Sequence, residues 1–276
     1  MNGKPELGVI EDTLYVPMLG RIYASEHCRD ILYDKKALEL KEKIPSHILA
    51  NDTQTQYALI ASASRSANVD RYIADFLKRK PDGMIVQLGC GLETAFYRND
   101  NEKTQWYAVD LPHVIDYRKT LLPEPSREKS ISGDAFQEDW LRTIRSEYPE
   151  SSLLVTASGL FYYFEEQKIL SLLRMLHRYG NIELLFDTVN KSGMTMMKKK
   201  HMKTVGHEDA QMFFYVDAAT ELARKIDANV KVLAEENYYS HIKKKGLQFS
   251  CKASMAISDW LGMVKMIHLS LWHKVS

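Results

Sequence analysis

The stretch VQLGCGLETAFYR, residues 86–98, leaves an apolar run through Gly89, Cys90 and Gly91 and continues into residues able to open a helix. Two glycines one residue apart remove Cβ where the chain turns, so the backbone can bend sharply and present amide N–H groups to a ligand above it. In an open sheet of parallel strands, the space beyond the carboxyl end of the first strand is where ligands bind. For a lone Gly-x-Gly, a turn that only connects a strand to a helix is the better reading.

The sequence on either side agrees with an α/β sheet. After Pro81, short apolar runs read as strands at about 84–88, 105–109, 129–132, 153–157 and 182–187, separated by helical segments such as FEEQKILSLLRMLHRYG, residues 164–180. Such alternation builds right-handed βαβ units and a mostly parallel sheet covered on both faces. Residues 1–80 carry helical spacing instead. SEHCRDILYDKKALELKEKI (25–44) reads as a helical stretch stopping before Pro45, and ANVDRYIADFLKRK (67–80) as another. The expected division is a helical cap over 1–80 and a ligand-binding domain over 81–276. Beyond Asp187 the pattern loosens into a Met- and Lys-rich segment of irregular packing, and residues 190–217 are the expected lid. A helix (217–226), a strand near 230–234 and a last apolar stretch (263–272) follow.

The 276 residues are 45% hydrophobic and 26% charged, enough to bury a large core. A formal net charge of +1 supplies no long-range field to gather nucleic acid or a membrane surface, so neither is expected as a partner. Cys28, Cys90 and Cys251 form no CxxC pair, which argues for a reducing cytoplasm and against a metal site. Neither a signal-peptide block nor a membrane-length apolar run is present in the sequence, so a soluble cytoplasmic protein is the expectation.

Asp110, at the end of the second strand in WYAVDLP, lies about 20 residues beyond the glycine turn, where a carboxylate can accept from both ribose hydroxyls. It could also cap the next helix. A dinucleotide site would favour a third glycine, but that position is Thr94. A cofactor without phosphates, such as S-adenosylmethionine, has no pyrophosphate to cradle. In SISGDAF, Asp134 could accept from an adenine amine and Ala135 donate its backbone N–H to the ring, with Asp134 as a turn cap being the plainer alternative. The backbones of Cys90 and Leu111 border the same space.

VQLGCGLETAFYR, VDLPHVIDYRKTLLP, GDAFQEDWL, ASGLFYYFEEQKILSLL and TLYVPMLGRIYASEHCRDILYDKKA together resemble the leucine carboxyl methyltransferase family, in its bacterial polyketide O-methyltransferase-like branch. The resemblance implies a class I methyltransferase fold, a Rossmann-like seven-stranded sheet with one antiparallel strand, and S-adenosylmethionine as cofactor. It also implies that Arg65, in SASRSANVD, pairs with the carboxylate of that cofactor, with Arg71 as the competing position. Two residues depart from the family pattern. Glu93 stands where aspartate is more usual, and Ser158 replaces a common glutamate before Gly159 beside the cofactor.

The activity so implied is O-methylation of a hydroxyl or carboxylate on a small, polyketide-like molecule. A protein terminus is a less favoured acceptor. Methyl transfer is an in-line displacement that chiefly requires positioning and exclusion of water. His113, His201, His207, Tyr162 and Tyr163 are available as a base or orienting donor, and none is singled out. A nucleotide-dependent oxidoreductase and a non-catalytic binding protein on the same fold are the alternatives, the latter suggested by Ser158.

Overall fold

The computed structural model describes residues 9–49, 54–204 and 212–272. Among the described residues, the α-helices before the sheet are α1 (Val9–His27), α2 (Lys35–Leu40), α3 (Ser46–Leu49) and α4 (Gln56–Arg79). The helical stretch expected over 25–44 is interrupted. Asp34 adopts an extended backbone and its carboxylate accepts the Ala37 N–H at 2.8 Å, capping α2. Aspartate satisfies an orphan amide at a helix start better than it serves inside a helix, so the chain stops after His27 and restarts.

Strands then alternate with helices: β1 (Met84–Leu88), α5 (Ala95–Asn99), β2 (Trp106–Asp110), α6 (Pro112–Leu121), β3 (Glu128–Ser132), α7 (Asp139–Glu147), β4 (Leu153–Ala157), α8 (Glu166–Tyr179), β5 (Ile182–Val189), α9 (Lys191–Thr204), α10 (Ala219–Ile226), β6 (Lys231–Asn237), α11 (Phe249–Trp260) and β7 (Val264–Ser270). The strand order is β3-β2-β1-β4-β5-β7-β6. Strands β1 to β5 pair in parallel, while β7 runs antiparallel to both β5 and β6. The class I methyltransferase fold expected from the sequence is the one observed.

The central strands β1 and β4 are buried at every residue because helices cover both faces, whereas the edge strand β6 alternates between exposed and half-buried positions. One face packs Val86, Val109 and Val155 against Trp140, Ile169 and Leu173. The other packs Ile85, Trp106 and Leu185 against Ile73 and Phe76 of α4 and Cys251 and Met255 of α11. Thus α4 lies directly on the sheet. Strand order reverses at β1, between β2 and β4, which opens the crevice at their carboxyl ends.

The segment expected to be irregular after Asp187 instead starts with the helix α9. Asn190 Oδ1 accepts the Gly193 N–H at 2.7 Å and so caps its first turn. Met and Lys lose little rotamer freedom in a helix, which the sequence reading had underweighted. No helix among the described residues is long and apolar enough to cross a membrane.

Candidate active site

The turn after β1 is held by the end of β2. The Gly89 and Cys90 amides both donate to the Val109 carbonyl, at 2.9 and 3.3 Å. The Gly91 amide reaches past it to Asp110 Oδ2 at 2.8 Å, and Asp110 Oδ1 accepts from Leu111 at 2.8 Å. Asp110 therefore faces the glycine turn and does not cap α6, whose first turn receives no side-chain cap. Each oxygen of a carboxylate can accept more than one hydrogen bond, so this half-buried group keeps capacity for two further hydroxyl donors. Burial pushes its carboxyl above the usual range, against the pull of the two amide N–H groups.

On the other side of the turn stands the chain leaving β4. Gly89, with φ of 62°, occupies a conformation that L side chains avoid, and a Cβ there would lie 2.9 Å from Leu160. Gly159, at φ 67°, lies against the Arg65 guanidinium: a Cβ would meet Nη1 at 2.7 Å. Arg65 is delivered by α4, and its Nε donates to Asp187 Oδ2 at 2.8 Å. The fully buried Asp187, near the carboxyl end of β5, also accepts from the Gly159 amide (2.7 Å) and the Tyr162 hydroxyl (2.8 Å). Burial opposes the charge on Arg65, but Asp187 outweighs it and holds the guanidinium protonated. The Arg65 side chain remains 25% exposed, with the Tyr238 hydroxyl beside its guanidinium.

Asp134 sits at the third strand end, where Gly133 donates to the Asp110 carbonyl at 2.8 Å. Its Oδ1 accepts from Phe136 at 2.9 Å, so the turn-capping role is present, and the Ala135 carbonyl accepts from Trp140 Nε1 at 3.1 Å. Cys90 turns its side chain into the core with Ala108 and Ile115, and burial pushes its thiol up to about 12. Only its backbone borders the crevice. Arg71 pairs with Glu236 on β6 and stacks on Tyr72, which takes it away from the glycine turn. Leu111 is 44% exposed at the rim. Of the other candidates, His113 is exposed, Tyr162 is committed to Asp187, and Tyr163 is 46% exposed. His207 and the side chain of His201 lie outside the described residues.

Sequence reasoning missed the layer beneath the turn. Arg118, buried in α6, donates to the carbonyls of Gly91 (3.1 Å) and Glu93 (2.7 Å) and pairs with Glu128. Arg98, 6% exposed, bonds Asp70 through Nε and Nη2, Asp34 at 2.7 Å and Glu93 at 2.9 Å. Arg21 of α1 adds contacts to Glu93 and to the Leu92 carbonyl. Burial would raise the Glu93 carboxyl, yet Arg21 and Arg98 bring it down to about 2. These contacts tie α1, α2 and α4 to the turn, and Leu14 of α1 comes within 3.3 Å of where a Gly91 Cβ would be. The signal available for Asp187 was its strand-end position, equivalent to that of Asp110.

A model of the leucine carboxyl methyltransferase family matches residues 5–177, which include the glycine turn, Arg65, Asp110, Asp134 and Ser158. The chain belongs to the leucine carboxyl methyltransferase family. A curated relative, the tetracenomycin polyketide synthesis O-methyltransferase TcmP of Streptomyces glaucescens, is 31% identical over 182 residues. That match covers 65% of this chain and 66% of TcmP, just under two thirds of the relative's length. Among solved structures, a candidate methyltransferase from Thermobifida fusca YX is similar with a TM-score of 0.57 at 13% identity, covering 98% of this chain and 100% of that one. A DUF574-family protein of Streptomyces avermitilis MA-4680 gives 0.54 at 10% identity, covering 91% and 96%. At such identities the likeness is one of fold. In this leucine carboxyl methyltransferase family member, Asp110 meets the glycine turn at Gly91, and Arg65 lies against Gly159, next in the chain to the Leu160 that faces Gly89.

Proposed function

We propose that the chain is an S-adenosylmethionine-dependent O-methyltransferase acting on a hydroxyl or carboxylate of a small, polyketide-like molecule. The observation that carries this reading is the pair of groups flanking the glycine turn: a carboxylate, Asp110, on the β2 side, and a charged guanidinium, Arg65, on the β4 side. They match the two polar ends of a nucleoside bearing an amino acid. Thr94 has its hydroxyl on Asp34 inside the core, and no third glycine is available for a pyrophosphate. The acceptor class is taken from the likeness to TcmP.

When bound, S-adenosylmethionine supplies an electrophilic methyl group on a sulfonium. Asp110 would accept from its ribose hydroxyls, Arg65 would pair with its carboxylate, and Asp134 with the Ala135 backbone would border its adenine. Ser158 lies between these groups with a hydroxyl in place of a carboxylate, so it adds no negative charge beside Arg65. Residues 1–80 would form the cap, with α4 also packed on the sheet, and the segment about 190–217 would form the lid, of which residues 205–211 lie outside the described residues. The Tyr162 carbonyl accepts from the Phe213 amide at 2.7 Å, which moors the far end of that segment next to the crevice. Closure over the site would exclude water and hold the acceptor oxygen against the methyl, the main contribution such a displacement needs. A carboxylate acceptor needs no base at neutral pH. Three free, buried cysteines suit a cytoplasmic setting.

Isothermal calorimetry tests the reading. Wild type is expected to bind S-adenosylmethionine in the micromolar range, about −8 kcal/mol, and Asp110→Ala to bind at least tenfold more weakly. Absence of binding by wild type, or equal binding by the variant, sinks it.

A further inference from the structure

Helix α11, between β6 and β7, is apolar on two opposite sides. Cys251, Met255 and Ser258 are buried toward α4 and the sheet. At 3.6 residues per turn, Phe249, Ala253, Ala256, Ile257 and Trp260 fall within an arc of about 100° on the opposite side. Phe249 is 86% exposed, Trp260 84% and Ile257 53%, with Leu261 at 46% just beyond the helix. Surface helices carry polar residues on that face, and helices apolar all round are covered all round. Two almost fully exposed aromatics with Ile257 and Leu261 present on the order of 500–600 Å² of apolar surface, the upper end of what a monomer displays.

We propose that this face is the self-association surface of the protein and that its occupant is α11 of a second copy, packed antiparallel about a two-fold axis. The order of the side chains carries the choice of partner. About a point between Ser254 and Met255 four of these five residues are palindromic: Phe249 mirrors Trp260, and Ala253 mirrors Ala256, with Ile257 at the edge outside the pairing. A two-fold through that point sets each Phe249 beside the second copy's Trp260 and brings alanine against alanine at the centre, where small side chains let two helices approach closely. Lys252 and Asp259 occupy one flank of the stripe. The same axis keeps the flank and reverses the direction, so Lys252 comes level with the second copy's Asp259 to within about two residues, or about 3 Å of helix rise. Asp259 is fixed for this by accepting the Tyr239 amide through Oδ1 at 3.0 Å. Doubling the exposed apolar area gives about 1,100 Å² before the rim is counted, which clears the roughly 1,000 Å² a biological interface needs. The inference is independent of the methyl-transfer reading, since α11 lies away from the glycine turn.

Sedimentation equilibrium of the whole chain at tens of micromolar reads the outcome. Wild type is expected at twice the chain mass. Trp260→Glu and Phe249→Glu should each run as monomers and, because both side chains are exposed within the protomer, should unfold at the wild-type midpoint once the protein is diluted below the dimer dissociation constant. Lys252→Glu should weaken the dimer about tenfold. The double substitution Ala253→Cys, Ala256→Cys should give a reductant-sensitive covalent dimer under mild oxidation, with the native cysteines buried and out of reach. A monomeric wild type, or a dimer that survives Trp260→Glu, overturns the proposal. So does a monomer that cosediments with anionic vesicles through Trp260, which would make the face a membrane surface beside Lys243, Lys244 and Lys245.

Discussion

Arg65 Nε and Asp187 Oδ2, 122 residues apart in the chain, are 2.8 Å apart across the carboxyl edge of the sheet. The contact spends the Nε of the guanidinium on orientation, with the Tyr238 hydroxyl and Gly159 beside its other nitrogens. Arg65→Met is expected to cost tenfold or more in affinity for S-adenosylhomocysteine, about 1.4 kcal/mol. It should not change the affinity for 5′-methylthioadenosine, which lacks the amino-acid carboxylate. Asp187→Asn should shift the same ratio in the same direction as the guanidinium loses its anchor. Calorimetry with both ligands decides, and equal losses for the two would refute the assignment.

Gly159 is required by both its backbone and its neighbour. Gly159→Ala places a Cβ in a left-handed conformation and 2.7 Å from Arg65 Nη1. The backbone strain alone is about 1–2 kcal/mol. The displaced guanidinium should weaken S-adenosylhomocysteine binding as well. Gly133→Ala is the control, since a Cβ there meets nothing within 4 Å. Urea denaturation and calorimetry on the pair should show both losses for Gly159→Ala and neither for Gly133→Ala.

Arg98 braces the fold. It is nearly buried and stands among Asp34, Asp70 and Glu93. Arg98→Met leaves three carboxylates short of their shared cation, and breaking a buried pair of this kind costs about 3–5 kcal/mol. The expected result is a large drop in the urea midpoint, with S-adenosylhomocysteine affinity retained in the protein that remains folded. A normal midpoint with lost binding would instead place Arg98 at the ligand.

Glu93 makes stability depend on acid. Its folded carboxyl titrates at about 2 against the usual 4.5, held down by Arg21 and Arg98 in spite of burial. A depressed carboxyl stabilises fully above its unfolded value, and that stability is lost as pH falls from 4.5 toward 2. The amount is about 3 kcal/mol. Asp70 works the other way, because burial raises its carboxyl even beside Arg98. Glu93→Gln is expected to lower the urea midpoint at neutral pH and to converge on wild type only as pH falls from 4.5 to about 2. Parallel midpoints across that range would contradict this account.

The sequence by itself determined the alternation of strands and helices from Met84 onward, because apolar runs and helical periodicity are local properties that one residue type after another writes into the chain. It also determined the glycine turn and Asp110, since a strand end fixes where a carboxylate emerges and spacing supplies the rest. Arg65 was legible only through resemblance to a family. Its geometric role depends on Asp187, which arrives from another strand after more than a hundred residues. The break at Asp34 and the helix α9 were misread because capping chemistry and rotamer freedom compete with hydrophobic pattern at the same positions. Tertiary structure alone decided that Arg98 and Arg118 lie beneath the turn, and that Arg71 belongs to Glu236 while Arg65 belongs to Asp187. A guanidinium is long and flexible enough to serve several carboxylates, so only the packing of α4, α5 and α6 against the sheet selects which ones it meets.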